Sequence, residues 1–234
     1  MGVAPIAVAL DAPDIATMRD WAGAVAGSVA CLKVGLEVFC RDGHNAVTAA
    51  REAADYAGHP GIDIFLDLKL HDIPATVAGA ARALAPLAPT YLTVHASGGP
   101  QMVHAAAAAL PGSRITAVTV LTSLDAADAT RLGLEGSPQE IVVRWACLAV
   151  DAGATAVVCS PQEVAAVRSA VGPNVHLITP GIRPAGSDPN DQRRAATPRE
   201  ALDAGADLLV IGRPITGQPD PGEAAMRLAR ECAR

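Results

Sequence analysis

The chain has 234 residues, of which 50% are hydrophobic and 18% are charged, and this composition excludes an extended disordered protein. Its 18 basic and 24 acidic residues give a net charge of −6, which argues against broad binding of nucleic acid or anionic membranes through bulk charge. The mean hydropathy of +0.28 comes mostly from Ala and Val scattered among polar residues, and no run approaches the roughly 18 consecutive apolar residues of a membrane-spanning helix.

The beginning of the chain and its cysteines give two further expectations. Met1–Pro5 lacks the basic region and the long apolar stretch of a secretory signal peptide, so we expect a cytoplasmic protein. The five cysteines are widely separated and form no Cys-x-x-Cys pair, which indicates neither a disulfide framework nor a zinc site. We interpret them as small buried hydrophobic residues.

Short runs of β-branched and other apolar residues, each bounded by turn residues, recur along the chain and predict eight strands. Most of these runs are continuously apolar rather than alternating, as in parallel strands that are covered by helices. The predicted strands are Ile6–Leu10, Cys31–Val34, Ile62–Lys69, Tyr91–His95, Ile115–Leu121, Ala154–Cys159, Val175–Thr179 and Leu208–Ile211.

Stretches rich in Ala, Leu, Arg and Glu lie between these strands and predict helices. Three of them place a proline in the first turn (Pro138, Pro161 and Pro198), where its missing N–H group costs nothing. Thr197 and Glu200 have the spacing of an N-terminal capping box. The clearest predicted helices are Ile15–Ala26, Ala75–Leu87, Pro100–Leu110, Pro138–Ala152, Pro161–Val171, Pro198–Ala204 and Gly222–Ala233.

The alternation of eight strands with helices predicts an α/β fold, a (β/α)8 TIM barrel that forms a single domain over residues 1–234. A doubly wound open sheet is the structural alternative, but it normally has a Gly-x-Gly-x-x-Gly turn after the first strand. The first strand here ends in Leu10–Pro13, which contains no glycine. Ser187–Arg194 is the one long irregular stretch, and we interpret it as a candidate functional loop.

In a barrel of this kind, the carboxyl ends of the strands and the loops after them form the functional site. Four charged residues are predicted there: Asp11 after the first strand, Lys33 on the second, and Asp67 and Lys69 on the third. Asp67 and Lys69 are two residues apart, so we expect them to point to the same side of the strand. An ordinary buried ion pair that closes the barrel mouth is the alternative, but four charges favour a functional site.

Such an array of charges suits one kind of chemistry. A lysine held between carboxylates stays protonated and positioned, ready to donate a proton to a developing carbanion. A carboxylate beside an anionic substrate group disfavours the bound ground state, and this effect is relieved if the group leaves as neutral carbon dioxide.

The last two strands predict a second part of the site, which binds phosphate, because barrel enzymes frequently use the loops after strands seven and eight for this purpose. Gly212 lets backbone N–H groups approach an anion, and Arg213 is able to clamp it, although an exposed surface arginine is the alternative. Arg183, Arg193 and Arg194 are, taken alone, more typical of exposed or salt-bridged side chains.

Several segments closely resemble motifs of the orotidine 5′-monophosphate decarboxylase family. Phe65–Val77 contains the pattern Asp-x-Lys-x-x-Asp followed by Ile-Pro and is similar to the signature of that family. Asp-x-Lys-x-x-Asp alone is shared with sugar-phosphate decarboxylases and aldolases of the same superfamily, but its combination with Thr122, Ser123 and Pro180–Arg183 is more specific. The similar segments follow the family's order: Val8–Asp11, Leu32–Gly35, Phe65–Val77, Val94–Gly99, Val120–Leu124, Thr179–Arg183, Asp191–Arg194 and Val210–Ile215.

The resemblance implies a cofactor-free decarboxylation of orotidine 5′-monophosphate to UMP, the last step of de novo pyrimidine synthesis. It implies that Lys69 protonates C6 as carbon dioxide leaves and that Asp67 lies beside the substrate carboxylate. Asp11 and Lys33 would hold the ribose hydroxyls, and Lys33 would extend the charge array.

The resemblance also implies roles for residues outside this array. Asp72 and Thr76 would reach the site of the neighbouring subunit, which implies a homodimer. We expect His71 and His95 to be structural. The further substrate-binding candidates are Ser123 at the pyrimidine ring, Pro180 near its edge, Arg183, and the phosphate-binding residues Gln192, Gly212 and Arg213, with Gln192 on a loop that closes.

Two other functions stay open at this point. One is a sugar-phosphate decarboxylase or aldolase of the same superfamily that uses Mg²⁺, and the other is a catalytically silent nucleotide-binding barrel. Intact Asp67, Lys69 and Asp72 argue against a silent protein, since a binding module gains nothing from a costly charge array. We therefore expect a small-molecule enzyme without a metal, and no nucleic acid or membrane partner.

Overall fold

The computed structural model describes residues 2–184 and 196–233, with the backbone alone at Ala126. Eight parallel strands pair in chain order, and the first strand also pairs with the last, so the sheet closes into a barrel. This arrangement confirms the predicted (β/α)8 fold. The strands are β1 Ala4–Ala9, β2 Val29–Gly35, β3 Asp63–Leu70, β4 Tyr91–His95, β5 Arg114–Val118, β6 Ala156–Val158, β7 His176–Thr179 and β8 Leu208–Ile211.

Helices surround this barrel and cover the outer face of the strands. Within the described residues, none of them is long and apolar enough to cross a membrane. The α-helices are α1 Ile15–Val25, α2 Leu36–Asp42, α3 His44–Tyr56, α4 Pro74–Leu84, α5 Pro100–Ala109, α6 Ala126–Arg131, α7 Pro138–Asp151, α8 Val164–Val171, α9 Pro198–Asp203, α10 Arg213–Thr216 and α11 Pro221–Cys232.

The helix starts test the signals in the sequence. The capping box at Thr197 and Glu200 is present at the start of α9, where each side chain satisfies the other residue's backbone N–H group. The predicted start at Pro161 is wrong, because α8 begins only at Val164. Ser160–Glu163 instead forms a turn in which the hydroxyl of the buried Ser160 donates to the carboxylate of the buried Glu163.

Four helices lie outside the set that the sequence predicts. α2, α6 and α10 have 7, 6 and 4 residues, which is too short for a helical period to be recognised. α3 has 13 residues, but its buried face consists of alanines and one valine, so no large apolar side chains mark it in the sequence. Small side chains on this face let α3 pack closely against its neighbours. A helix without large apolar residues is difficult to recognise in the sequence.

Side chains alternate between the two faces of the strands and form two apolar layers. On β7, for example, Leu177 faces the helices and Ile178 faces the interior of the barrel. The prediction that β5 extends to Leu121 is wrong, because β5 ends at Val118 and the apolar run continues as the wall of a cavity. The inner layer consists of Ala7, Cys31, Phe65, Tyr91, Ala156, Ile178 and Leu208.

Polar contacts join separate elements at the amino end of the barrel, some of them across its interior. The Tyr91 hydroxyl lies 3.2 Å from His176 Nδ1, and burial, with smaller effects from neighbouring charges, raises the pKa of Tyr91 to about 12. Arg168 on α8 forms an ion pair with Asp207 and donates to three backbone carbonyls. These contacts stabilise the amino end of the barrel. The charged residues of the candidate functional site lie at the opposite, carboxyl end.

We predict that Thr179→Val stabilises the protein. Thr179 is fully buried, and its hydroxyl has no hydrogen-bond partner among the described residues. Replacing a hydroxyl without a partner by a methyl group should raise the free energy of unfolding by about 1 kcal/mol, measured by urea denaturation.

Thr119→Val is the matched control for this substitution. Thr119 is also fully buried, but its hydroxyl donates to the Val158 carbonyl at 2.8 Å. Its loss should lower the free energy of unfolding by about 1 kcal/mol. Equal destabilisation by the two substitutions would contradict the prediction for Thr179.

Candidate active site

Four charged side chains meet at the carboxyl end of the barrel. Lys33 Nζ lies 3.4 Å from Asp67 Oδ2 and 3.7 Å from Asp11 Oδ1, and Lys69 Nζ lies 2.9 Å from each carboxylate oxygen of Asp67. Lys33 and Lys69 are the only lysines in the sequence. Both ammonium side chains of the protein therefore converge on one carboxylate.

Asp67 is the centre of this charge array. Burial acts to raise the pKa of Asp67, but the charges of Lys33 and Lys69 and the hydrogen bonds from Lys69 and Thr93 outweigh it and hold that pKa below its ordinary value. The Lys33 side chain is 8% exposed and that of Lys69 is 33% exposed. Lys69 is therefore the more accessible of the two amines.

The carboxyl end of β3 is irregular. β3 pairs with β4 at Leu66 and Leu92 and next at Leu70 and Val94, so β3 has two extra residues between these pairs. Lys69 lies in this bulge with φ at +50°, in the left-handed region that residues other than glycine rarely adopt. The regular alternation of side chains between the two faces of a strand therefore does not apply to this segment. Asp67 and Lys69 contact each other within a bulge.

The positions of the carboxylates differ from the arrangement expected of the sequence. Lys33, rather than Lys69, lies between two carboxylates, those of Asp11 and Asp67. Asp72 is exposed and its Oδ1 accepts from the Ile73 N–H group at 2.6 Å. Among the described residues, Asp72 forms no ion pair with either lysine, so within one chain it stands apart from the array.

A cavity of about 170 Å³ adjoins the array. Asp67 and Lys69 line it together with apolar side chains from five strands or the loops that follow them. Burial and the nearby Glu163 raise the pKa of Cys159, in the cavity wall, to about 12, so this residue stays a neutral thiol. The lining residues are Phe65, Asp67, Lys69, Val118, Val120, Leu121, Thr122, Val158, Cys159, Pro180 and Val210.

The candidates for binding the rest of a ligand lie on the loops after β5 and β7, which contribute to the wall of this cavity. Pro180 lines it directly, whereas Ser123 is exposed on the loop after β5, next to the lining residue Thr122. Arg183 is half-buried and donates to the Ile182 carbonyl at 2.9 Å.

The residues expected at a phosphate follow β8. Gly212 immediately precedes α10, and Arg213 is the exposed first residue of that helix. A Cβ atom at Gly212 would make only ordinary contact with Ala9, at 3.4 Å, so packing does not require glycine there. Gln192 and the candidate loop Ser187–Arg194 lie outside the described residues.

The two histidines near the array are held by packing contacts. The His95 ring stacks on His71 with centroids 5.5 Å apart and meets Trp145 edge-on, and His95 Nδ1 lies 2.7 Å from Ser97 Oγ. Burial, followed by the charges of His71 and Lys69, lowers the pKa of His95, so its ring stays neutral near pH 7.

Two residues that the sequence search missed contact the array directly. The fully buried Thr93 hydroxyl donates to Asp67 Oδ1 at 3.1 Å and accepts from the Lys69 N–H group at 2.7 Å. Gly35 pairs with Asp67, and a Cβ atom there would lie 2.6 Å from Asp11 Oδ1 and 2.9 Å from Lys33 Nζ. A polar residue inside an apolar strand was the available signal for Thr93.

Comparisons with known proteins agree along nearly the whole chain. The family model described as "Orotidine 5′-phosphate decarboxylase / HUMPS family" matches residues 4–228. Orotidine 5′-phosphate decarboxylases from Thermobifida fusca and Frankia casuarinae are 62% and 56% identical over 97% of this chain, and the matches cover 95% and 87% of those proteins. A crystal structure of orotidine 5′-phosphate decarboxylase from Lactobacillus acidophilus, at 34% identity, matches with a TM-score of 0.83 over 99% of this chain and 100% of that one.

We predict that Gly35→Ala separates Lys33 from Asp11 while the protein still folds. The backbone at Gly35 is extended, with φ at −96°, so alanine is tolerated there, but the added methyl group displaces two flexible side-chain ends. A crystal structure of the variant should show the Lys33–Asp11 distance beyond about 4 Å, with the free energy of unfolding within about 1 kcal/mol of wild type.

Gly79→Ala on α4 is the control, since the nearest atom to its added Cβ lies 4.0 Å away. It should leave the array unchanged and raise the free energy of unfolding by up to about 1 kcal/mol. An intact Lys33–Asp11 pair in Gly35→Ala would show that the glycine is not needed for the array.

Proposed function

The chain belongs to the orotidine 5′-phosphate decarboxylase / HUMPS family, and from that premise we propose that it converts orotidine 5′-monophosphate to UMP and carbon dioxide in pyrimidine biosynthesis. The observation that carries this proposal is the amine of Lys69, which is bonded to Asp67 in the wall of a largely apolar cavity. Apolar walls suit a flat pyrimidine ring better than a polyhydroxylated sugar, which favours the nucleotide over a sugar phosphate as substrate.

Lys69 acts as the proton donor in the proposed reaction. The bond between C6 and the carboxylate carbon breaks, its electron pair stays on C6, and carbon dioxide leaves. A proton then passes from Lys69 Nζ to C6, and solvent later reprotonates the neutral amine. The geometry that supports this role is the 2.9 Å contact with Asp67, which fixes the amine, together with its access to the cavity.

Asp67 acts on the substrate carboxylate. Its lowered pKa keeps it ionised at neutral pH, so a bound substrate carboxylate would lie beside a second negative charge. This repulsion is relieved as the substrate carboxylate becomes neutral carbon dioxide, while the attraction between Asp67 and Lys69 stays. Lys33 lowers the free-energy cost of keeping Asp67 ionised before substrate binds, because its ammonium group approaches the Asp67 carboxylate from the side opposite Lys69.

We assign the remaining binding roles as part of the same proposal. Asp11 is half-exposed above Lys33, which suits contacts with ribose hydroxyls. Closure of groups around a non-reacting phosphate lets remote binding energy act at the reacting centre. We assign the pyrimidine to Ser123 and Pro180, and the phosphate to Gln192, Gly212 and Arg213, with Arg183 beside them.

We further propose that two copies of the chain form the working unit. Asp72 and Thr76 are both exposed at the start of α4, and Ile73 between them is 66% exposed. An exposed carboxylate and an exposed apolar side chain next to the array are accounted for if they meet a second copy and Asp72 completes the partner's site. We propose that the enzyme needs no cofactor and works in the cytoplasm.

We predict that the purified protein consumes orotidine 5′-monophosphate in excess EDTA, followed as a change in ultraviolet absorbance. Lys69→Ala should lower kcat by at least about 10³-fold, because Lys33, the other ammonium of the array, lies between Asp11 and Asp67 and does not line the cavity. Lys69→Arg is the matched variant, since it keeps the positive charge beside Asp67 but does not give up a proton.

Lys69→Arg should be as inactive as Lys69→Ala while it keeps more of the ion pairing. Near-normal turnover by either variant would refute the role of Lys69. A requirement for a divalent metal would instead favour a sugar-phosphate enzyme of the same superfamily.

We predict that mixing inactive Lys69→Ala and Asp72→Asn subunits restores activity. In each mixed dimer, one site has an intact Lys69 from one subunit and an intact Asp72 from the other, so an equal mixture should recover about a quarter of wild-type activity. Absence of recovery, with mixed dimers shown to form by mass spectrometry, would place Asp72 in its own subunit's site.

A further inference from the structure

The bulge in β3 has a structural cost that regular strands do not have. Two extra residues of β3 lie between consecutive pairs with β4, so their backbone groups lose regular partners in the sheet. Lys69 also adopts a left-handed conformation, which is strained for a residue with a Cβ atom. Something must hold the backbone in this state, because an unpaired N–H group at this depth would add a further penalty.

Thr93 supplies what the bulge lacks. It lies on β4 opposite the bulge, between Leu92 and Val94, which pair with the two ends of the irregular segment. Its hydroxyl oxygen accepts from the Lys69 N–H group at 2.7 Å and replaces the missing sheet partner. The hydroxyl proton is donated to Asp67 Oδ1 at 3.1 Å.

Only a side chain that donates and accepts at one atom makes both contacts from this position. A hydroxyl has one proton and two lone pairs, so it serves the backbone of Lys69 and the carboxylate of Asp67 together. Thr93 is fully buried, so water does not compete for either bond. The hydroxyl therefore couples the conformation of the Lys69 backbone to the position of its counter-ion.

We propose that Thr93 is a positioning residue for proton donation: it holds Lys69 in the left-handed conformation and fixes Asp67, so that the Lys69 amine stays aimed at the reacting carbon. This inference rests on the proposed function of Lys69 and adds a residue on the neighbouring strand to its machinery. Thr93 is fully buried behind Lys69 and Asp67 and does not line the cavity, so it acts through these two residues. Its loss therefore affects the chemical step more than substrate binding.

The kinetic test compares Thr93→Val with Thr93→Ser. Valine keeps the shape but has no hydroxyl, and kcat should fall by about 10²-fold, the cost of misplacing a catalytic group by about 1 Å, with KM changed by less than about 3-fold. Serine keeps the hydroxyl and should retain kcat within about 5-fold of wild type. Equal kcat for Thr93→Val and wild type, or equal losses in the valine and serine variants, would overturn the inference.

Thr116→Val is the matched control. Thr116 pairs directly with Thr93 in the sheet and is equally buried, but its hydroxyl donates to the carbonyl of Arg114 on its own strand, away from the array. It should keep wild-type kcat at temperatures where both variants are folded. A loss equal to that of Thr93→Val would assign the effect to the packing of the barrel and overturn the inference.

Two readouts do not depend on turnover and separate this inference from the proposed reaction. A crystal structure of Thr93→Val should show Lys69 at negative φ, with Nζ no longer 2.9 Å from both Asp67 oxygens. An unchanged Lys69 would overturn the positioning role, whether or not the protein decarboxylates the nucleotide. An inactive wild-type enzyme with the expected shift of Lys69 would instead refute the reaction alone.

The second readout needs no substitution at Thr93, so it also covers a variant that fails to fold. Because the sequence has only two lysines, [¹⁵N]lysine labelling gives two backbone amide signals, which Lys69→Arg assigns. The Lys69 amide should exchange with solvent as slowly as the Lys33 amide in β2. Fast exchange at Lys69 would show that the Thr93 hydroxyl does not hold this backbone.

Discussion

The carboxylate of Asp67 holds the carboxyl end of the barrel together, because both lysines of the chain and a buried hydroxyl converge on it. Lys69 donates to both of its oxygens, Lys33 approaches from the other side, and Thr93 donates to Oδ1. Desolvating three charges is costly, and removing one partner leaves a buried charge without compensation. The proposed chemistry therefore accounts for such an array better than a contribution to stability does.

The barrel distributes the parts of this array over neighbouring strands. Lys33 comes from β2, Asp67 and Lys69 from the bulged end of β3, and Thr93 from β4, so the direct pairing of these neighbouring strands sets their distances. The interior next to the array is apolar, which strengthens charge interactions relative to those in water. A rigid scaffold, an apolar cavity and a fixed ammonium group are what electrostatic preorganisation of a proton transfer requires.

The sequence predicts the barrel because buried parallel strands consist of continuous apolar runs. Such runs are recognised even where the first and last residues of a strand are not. Asp67 and Lys69 can be recognised in the sequence because they are charged residues that interrupt such an apolar run. The bulge cannot be recognised in the sequence, because apolar and charged residues continue to alternate through it. The hydroxyl that supports it also lies on another strand. The role of Thr93 likewise depends on the register between β3 and β4, which local sequence does not encode. The sequence does not predict α3, because the buried face of this helix consists almost entirely of alanines.

A crystal structure of the protein with bound UMP tests the central claim most directly. The account predicts that one ligand spans the site, with its pyrimidine in the apolar cavity, C6 within about 3.5 Å of Lys69 Nζ, and its phosphate at Gly212 and Arg213. Lys69 would remain bonded to Asp67 in that complex. A Lys69 amine turned into solvent, or a phosphate bound away from Arg213 while the ring occupies the cavity, would contradict the account.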